Sequence, residues 1–104
     1  MLEIREDNVN SFSNEISKGI SMVDFSATWC SPCRMQLTIL QDVEKELKEV
    51  KMIKIMIDDE QSIAKSFQVQ SVPTIVLFKD GKMMKKLVGL QKKDILVSEV
   101  NNIV

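Results

Sequence analysis

The stretch Asp24-Phe25-Ser26-Ala27-Thr28-Trp29-Cys30-Ser31-Pro32-Cys33-Arg34-Met35 carries an apolar strand pattern into two cysteines and then into a helical pattern. Both cysteines of the chain lie in it. Thiols at this spacing, with Pro32 in the first helical turn, sit close enough to close a small disulfide ring without large backbone movement. A helix start also presents unpaired N–H groups and the positive end of the helix dipole, which favour a thiolate over a thiol. Cys30, the first of the pair, is therefore the candidate nucleophile, and the local chemistry suggests a reversible dithiol/disulfide centre.

The chain around this stretch has 104 residues, which suits one domain spanning 1–104 with a real core. Fourteen basic residues stand against fifteen acidic ones, so there is no electrostatic footprint for nucleic acid or an anionic membrane. The lysines at 79, 82, 85, 86, 92 and 93 read as a solvated face, and the seven methionines as fillers of core gaps, with Met83-Met84 able to present one side chain outward. The first residues are charged from Glu3 onward and no apolar run approaches a membrane span, so a cytoplasmic protein is expected. In a reducing compartment a lone cysteine pair is more often catalytic or metal-binding than a structural staple. The chain has no histidine, which excludes a Cys/His dyad, a Ser-His-Asp triad and an imidazole-ligated zinc site. Two cysteines do not complete a four-thiolate site within one chain, although an exposed pair from each of two subunits would.

Taken in order, Leu2 to Ile4 reads as a short strand. Asn8 or Ser11 caps a helix with Val9, Phe12 and Ile16 at helical spacing, ended by Gly19. Ile20 to Ala27 reads as a strand buried on both sides. Beyond the cysteines, Leu37, Leu40, Val43, Leu47 and Val50 mark one face of a long helix, with Gln36, Asp42, Lys45, Glu46 and Glu49 on the other. Lys51 to Asp58 is a third strand, and Gln61 to Phe67 a short helix. Thr74 to Lys79 and Met83 to Val88 are strands joined by Asp80-Gly81, a strong hairpin signal. Lys92 to Ile103 closes the chain as a helix with Leu96, Val100 and Ile103 inward. The order βαβαβαββα argues for an α/β fold, a mixed sheet covered by helices on both faces.

Asp24 to Met35 resembles the active-site segment of the thioredoxin family, and Ser71-Val72-Pro73-Thr74-Ile75 resembles the cis-proline segment that faces it there. The resemblance runs through the whole chain with family spacing, including Asp58, the Asp80-Gly81 turn and Gly89. A bare C-x-x-C is weak evidence, but Trp29 before it, Pro32 inside it, Asp24 upstream and the later Val72-Pro73-Thr74 make the match specific. It implies a central five-stranded sheet flanked by four helices, with the third strand between the first and second. Two positions depart from the family pattern: Ser31 stands where glycine is usual, and Thr38 where a helix-kinking proline is usual. Threonine keeps its N–H, so the long helix should be straighter.

The site residues follow from both readings. Cys30 attacks a substrate disulfide and Cys33 resolves the mixed disulfide. Asp24 sits between Val23 and Phe25 in an apolar strand; buried there, its pKa rises, which suits a general base near neutral pH. The resemblance gives Asp24 the task of serving the resolving cysteine through water. It places Lys54 near that aspartate and gives Asp58 the indole of Trp29 as hydrogen-bond partner. Solvated strand-edge charges are the alternative for both. Trp29, the only tryptophan, suggests a platform that shields the sulfur and contacts partners. Pro73, between Val72 and Thr74, matches the family's cis-proline; lacking an N–H, it leaves a neighbouring backbone group free to pair with an extended substrate. Gly89 gives a substrate chain close access to the sulfur.

The resemblance implies a monomeric protein-disulfide reductase that carries two electrons to oxidised proteins and binds no cofactor or metal. NADPH would supply the electrons through thioredoxin reductase, with peroxiredoxin, methionine sulfoxide reductase and ribonucleotide reductase among the targets. A thiol oxidant or disulfide isomerase on the same fold, and a non-catalytic binding module, are the other readings. Ser31 in place of glycine restricts the turn and adds a hydroxyl near the Cys30 sulfur, which is expected to favour the thiolate and raise the reduction potential slightly. Ser31→Gly is therefore expected to lower the potential in a glutathione-buffer equilibration, and an unchanged value would remove Ser31 from the tuning of the pair.

Overall fold

In the computed structural model, which describes residues 1–5 and 10–104, strand β2 (Ile20–Ser26) is buried from Ser21 onward and occupies the middle of a sheet. The elements around it are β1 (Leu2–Ile4), α1 (Phe12–Glu15), α2 (Ser31–Glu46), β3 (Lys51–Met56), α3 (Gln61–Ser66), β4 (Thr74–Lys79), β5 (Lys82–Val88) and α4 (Lys93–Ile103). The five strands lie in the order β1-β3-β2-β4-β5. Strand β2 pairs parallel with β3 and antiparallel with β4, so the sheet is mixed. The expected α/β architecture, with the third strand between the first and second, is the one observed.

Alternate side chains of a strand point to opposite faces, and that period sorts the core into two layers. Val23, Phe25, Ile53, Ile55, Val76 and Phe78 face α1 and α3 and pack with Phe12, Ile16, Ile63 and Ala64. Within that layer Phe12, Phe67 and Phe78 meet edge to face, with centroids 5.2–6.0 Å apart. Met22, Met52, Ile75 and Leu77 face the other way, against Leu40 and Val43 of α2 and Leu96 and Val100 of α4. Asp24 follows Val23 and precedes Phe25, so it shares the α2 face with Met22. Lys54, paired in register with Asp24, does the same from β3.

The turn at the far end of the sheet follows from two residues. Asp80 (φ 51°) and Gly81 (φ 84°) both take positive φ, as a two-residue hairpin requires, and asparagine, aspartate and glycine tolerate this best. The Asp80 carboxylate also accepts the Gly19 N–H at 2.8 Å, while the Asp80 N–H donates to the Gly19 carbonyl at 2.9 Å. The start of β2 is thereby tied to the β4–β5 hairpin.

Several boundaries differ from the sequence expectation. Asn8 and Val9 lie outside the described residues, and Ser11 occupies the N-cap position of α1. Strand β3 ends at Met56 because the chain turns there, which leaves Asp58 exposed on the turn. Helix α2 ends at Glu46, so Leu47 and Val50 reach the core from the following turn rather than from the helix. Gln36 is the clear reversal. Placed on the polar face by its chemistry, it is fully buried, because Cys33, Gln36, Leu40 and Val43 recur at helical spacing on the inward face. Leu37 beside it is only partly buried. Thr38 leaves α2 unbroken, and its hydroxyl donates to the Arg34 carbonyl one turn back at 3.4 Å.

Leu40 is fully buried where α2 meets the sheet. Leu40→Ala should cost about 2–5 kcal/mol in a urea unfolding titration, whereas Lys45→Ala, exposed on the same helix, should stay within about 0.5 kcal/mol.

Candidate active site at the start of helix α2

Residues 27–30 carry the chain from the end of β2 to the start of α2. Cys30 is the N-cap of that helix in extended conformation, and its Sγ accepts a hydrogen bond from the Cys33 N–H at 3.2 Å. Pro32 lies in the first turn, where a missing N–H costs nothing. Cys30 and Cys33 form a disulfide, with their Cα atoms 5.3 Å apart. Both residues are nearly buried, at 4% and 3% exposure, and pack with Ala27 against Ile57 and Val72. The start of α2 thus faces the Cys30 sulfur, a placement that generally favours a thiolate over a thiol, while Cys33 lies one turn inside. Ser31 is exposed at the first helical position.

Asp24 lies beneath the pair. It is 1% exposed, and among the described residues neither carboxyl oxygen has a hydrogen-bond partner. A buried carboxylate loses its hydration without compensation, so its neutral form is favoured. Desolvation raises its pKa from 3.8 to about 7, and the Lys54 ammonium across the strand pair offsets part of that rise. A cavity of about 160 Å³ joins Asp24 to Cys33, lined also by Ser26, Arg34, Leu37 and Lys54. Such a space, with Asp24 and Lys54 in its wall, is large enough for water.

One further segment borders the disulfide, and a second is tied to it. The Val72–Pro73 peptide is cis, Pro73 is buried, and Val72 packs against the cysteines. Thr74 begins β4, its hydroxyl donating to the Ser71 carbonyl at 2.7 Å. Gly89 follows β5 with φ 90°, and its N–H donates to the Pro73 carbonyl at 2.9 Å. Trp29, next to Cys30, is 70% exposed. It borders a groove of about 300 Å³ shared with Asp58, Ile57 and Gln61.

The structure thus brings Asp24, Lys54 and Cys33 around one cavity and sets Val72 against the disulfide. Asp58 shares the groove of Trp29, but its hydrogen bond comes from the Thr28 hydroxyl at 2.8 Å, which ties the loop before the cysteines to the turn after β3. Thr28 and Ile57 escaped the sequence reading, because neither residue type signals redox chemistry. Gln36 also escaped it, although its helical spacing from Cys33 and Leu40 was a usable signal. Among the described residues no cluster of three or more cysteine or carboxylate side chains could hold a metal ion.

The thioredoxin family model matches residues 3–102. A thioredoxin of Chlamydia caviae is 41% identical over 98 residues, covering 94% of this chain and 93% of the relative. A thioredoxin of Bacillus subtilis is 38% identical over 92 residues, covering 88% of each chain. A chain solved in work on the thiol resolving mechanism of yeast mitochondrial 1-Cys peroxiredoxin via glutathione/thioredoxin systems superposes with a TM-score of 0.88 at 29% identity, covering 98% of this chain and 94% of that one. With these relatives and a C-x-x-C pair closed at the start of α2, the chain belongs to the thioredoxin family and is a thiol-disulfide oxidoreductase.

Proposed function

We propose that this chain is a monomeric, cytoplasmic reductase of protein disulfides, re-reduced by a thioredoxin reductase that draws on NADPH. The observation that carries the reading is the unpartnered, buried Asp24 carboxyl, which shares a cavity with Cys33 and titrates near the working pH. In the forward reaction the Cys30 thiolate attacks one sulfur of a substrate disulfide. A Cys30–substrate disulfide forms, and the other substrate sulfur leaves as a thiolate. Cys33 then gives its proton to the Asp24 carboxylate, by way of water in the cavity, and attacks the Cys30 sulfur. The Cys30–Cys33 disulfide closes, the second substrate thiolate departs, and two electrons have passed to the substrate.

A substrate chain would lie against Trp29, Val72, Pro73 and Gly89, with Thr74 fixing the start of β4 and Asp58 bracing the loop through Thr28. The lone cysteine pair, engaged in catalysis rather than stapling, supports a reducing compartment. Peroxiredoxin is the substrate class that the structural relative supports most directly, beside methionine sulfoxide reductase and ribonucleotide reductase.

A base with a pKa of about 7 makes release of the mixed disulfide accelerate as pH rises through 7. Asp24→Asn is expected to abolish that rise and slow release by roughly tenfold or more at pH 8. The carboxyl's folded pKa lies above its unfolded value, so burial costs stability as pH climbs from about 4 to 7. The variant should therefore gain up to roughly 4 kcal/mol of stability above pH 7 and none below about pH 4. Stopped-flow turnover that matches the unsubstituted protein from pH 6 to 9 removes Asp24 from the mechanism.

A further inference from the structure

Gln36 is a polar side chain with no exposed surface, set between Cys33 and Leu40 on the inward face of α2. An apolar residue there would pack without needing partners, whereas a buried amide needs a partner for its oxygen and for its nitrogen, and each has one. Oε1 accepts the Gln91 N–H at 2.7 Å, and Nε2 donates to the Gln91 carbonyl at 3.0 Å. A primary amide and a residue's backbone N–H and C=O offer matching donors and acceptors, so the two bonds make a closed two-point clamp.

Gln91 terminates the loop that follows β5. Its own side-chain amide donates to the Val88 and Gly89 carbonyls at 3.1 and 3.2 Å. At the other end the Gly89 N–H holds the Pro73 carbonyl. Residues 88–91 are therefore moored on one side to the Val72–Pro73 segment and on the other to the helix that bears both cysteines. Leu90, between the moorings, and Val88, just before them, face solvent. We infer that Gln36 is a positioning residue for protein substrates: its clamp on Gln91 holds the Gly89 loop at a fixed offset from the Cys30 sulfur, so that a docked chain finds its disulfide in line. The inference rests on the reductase reading above. A substrate that docks along this loop depends on the clamp, whereas a small disulfide needs only the sulfur.

The test compares the unsubstituted protein with Gln36→Met, which keeps the length and burial of the side chain and removes the amide. Insulin serves as the disulfide-bearing protein with dithiothreitol as the reductant, and 5,5′-dithiobis(2-nitrobenzoate) as the small disulfide, mixed with pre-reduced protein from which dithiothreitol has been removed. We expect KM for insulin to rise about five-fold while kcat stays within about two-fold, and the preference for insulin over the small disulfide to fall by the same factor. An unchanged KM overturns the inference. So does an equal loss on both substrates, which would mean that the helix and its cysteines were disturbed. Should the variant not fold, hydrogen exchange of the Gln91 amide in the unsubstituted protein decides. Protection of about a hundred-fold or more supports the clamp, and exchange at the rate of a free loop overturns it. If the unsubstituted protein does not reduce insulin, the reductase reading falls and the positioning role with it, while the exchange result still reports on the clamp separately.

Discussion

The hydrogen bond from the Cys33 N–H to the Cys30 sulfur is the contact on which the rest of the molecule converges. It exists because α2 begins one residue after Cys30, and α2 begins there because β2 delivers the chain to that edge of the sheet with Pro32 ready to enter the first turn. The strand is held from both sides, by parallel pairing to β3 and antiparallel pairing to β4. The helix is held by Leu40 and Val43 against Met22, Ile75 and Leu77. A sulfur fixed at a helix N-terminus is an activated one when reduced. The core thereby sets the chemistry of the thiol through position alone.

The same packing creates a conflict at Asp24. The period of β2 directs this carboxyl into the layer beneath α2, where apolar neighbours strip its hydration and Lys54 returns only part of the loss. Such a residue lowers stability at neutral pH, and no fold-level requirement calls for it. On the proposed mechanism, its position on the cavity that reaches Cys33 gives the cost a purpose, because a desolvated carboxyl exchanges a proton near pH 7.

Much of this was readable before the structure. The alternation around Val23 and Phe25 marked β2, the Asp80-Gly81 pair marked the hairpin, and the C-x-x-C set against Pro32 marked the helix start. What could not be read has physical reasons. Gln36 was placed by its polarity, although the spacing of Cys33, Leu40 and Val43 sets its direction, and its partners on Gln91 are distant in sequence. Asp58 carries no local sign that Thr28, thirty positions away, would be its donor. The apolar spacing overstates the length of α2, because Leu47 and Val50 keep the pattern after the backbone has left the helix. Apolar spacing reports burial, and burial continues through a turn.

The reduction potential of the Cys30–Cys33 pair, measured by equilibration against glutathione buffers with thiol trapping, tests the account most directly. We expect a value near about −270 mV, the reference value for thioredoxins, because a reductase must hold its electrons at a potential below that of its substrates. A value near about −180 mV or higher would contradict it and place the chain with oxidants and isomerases.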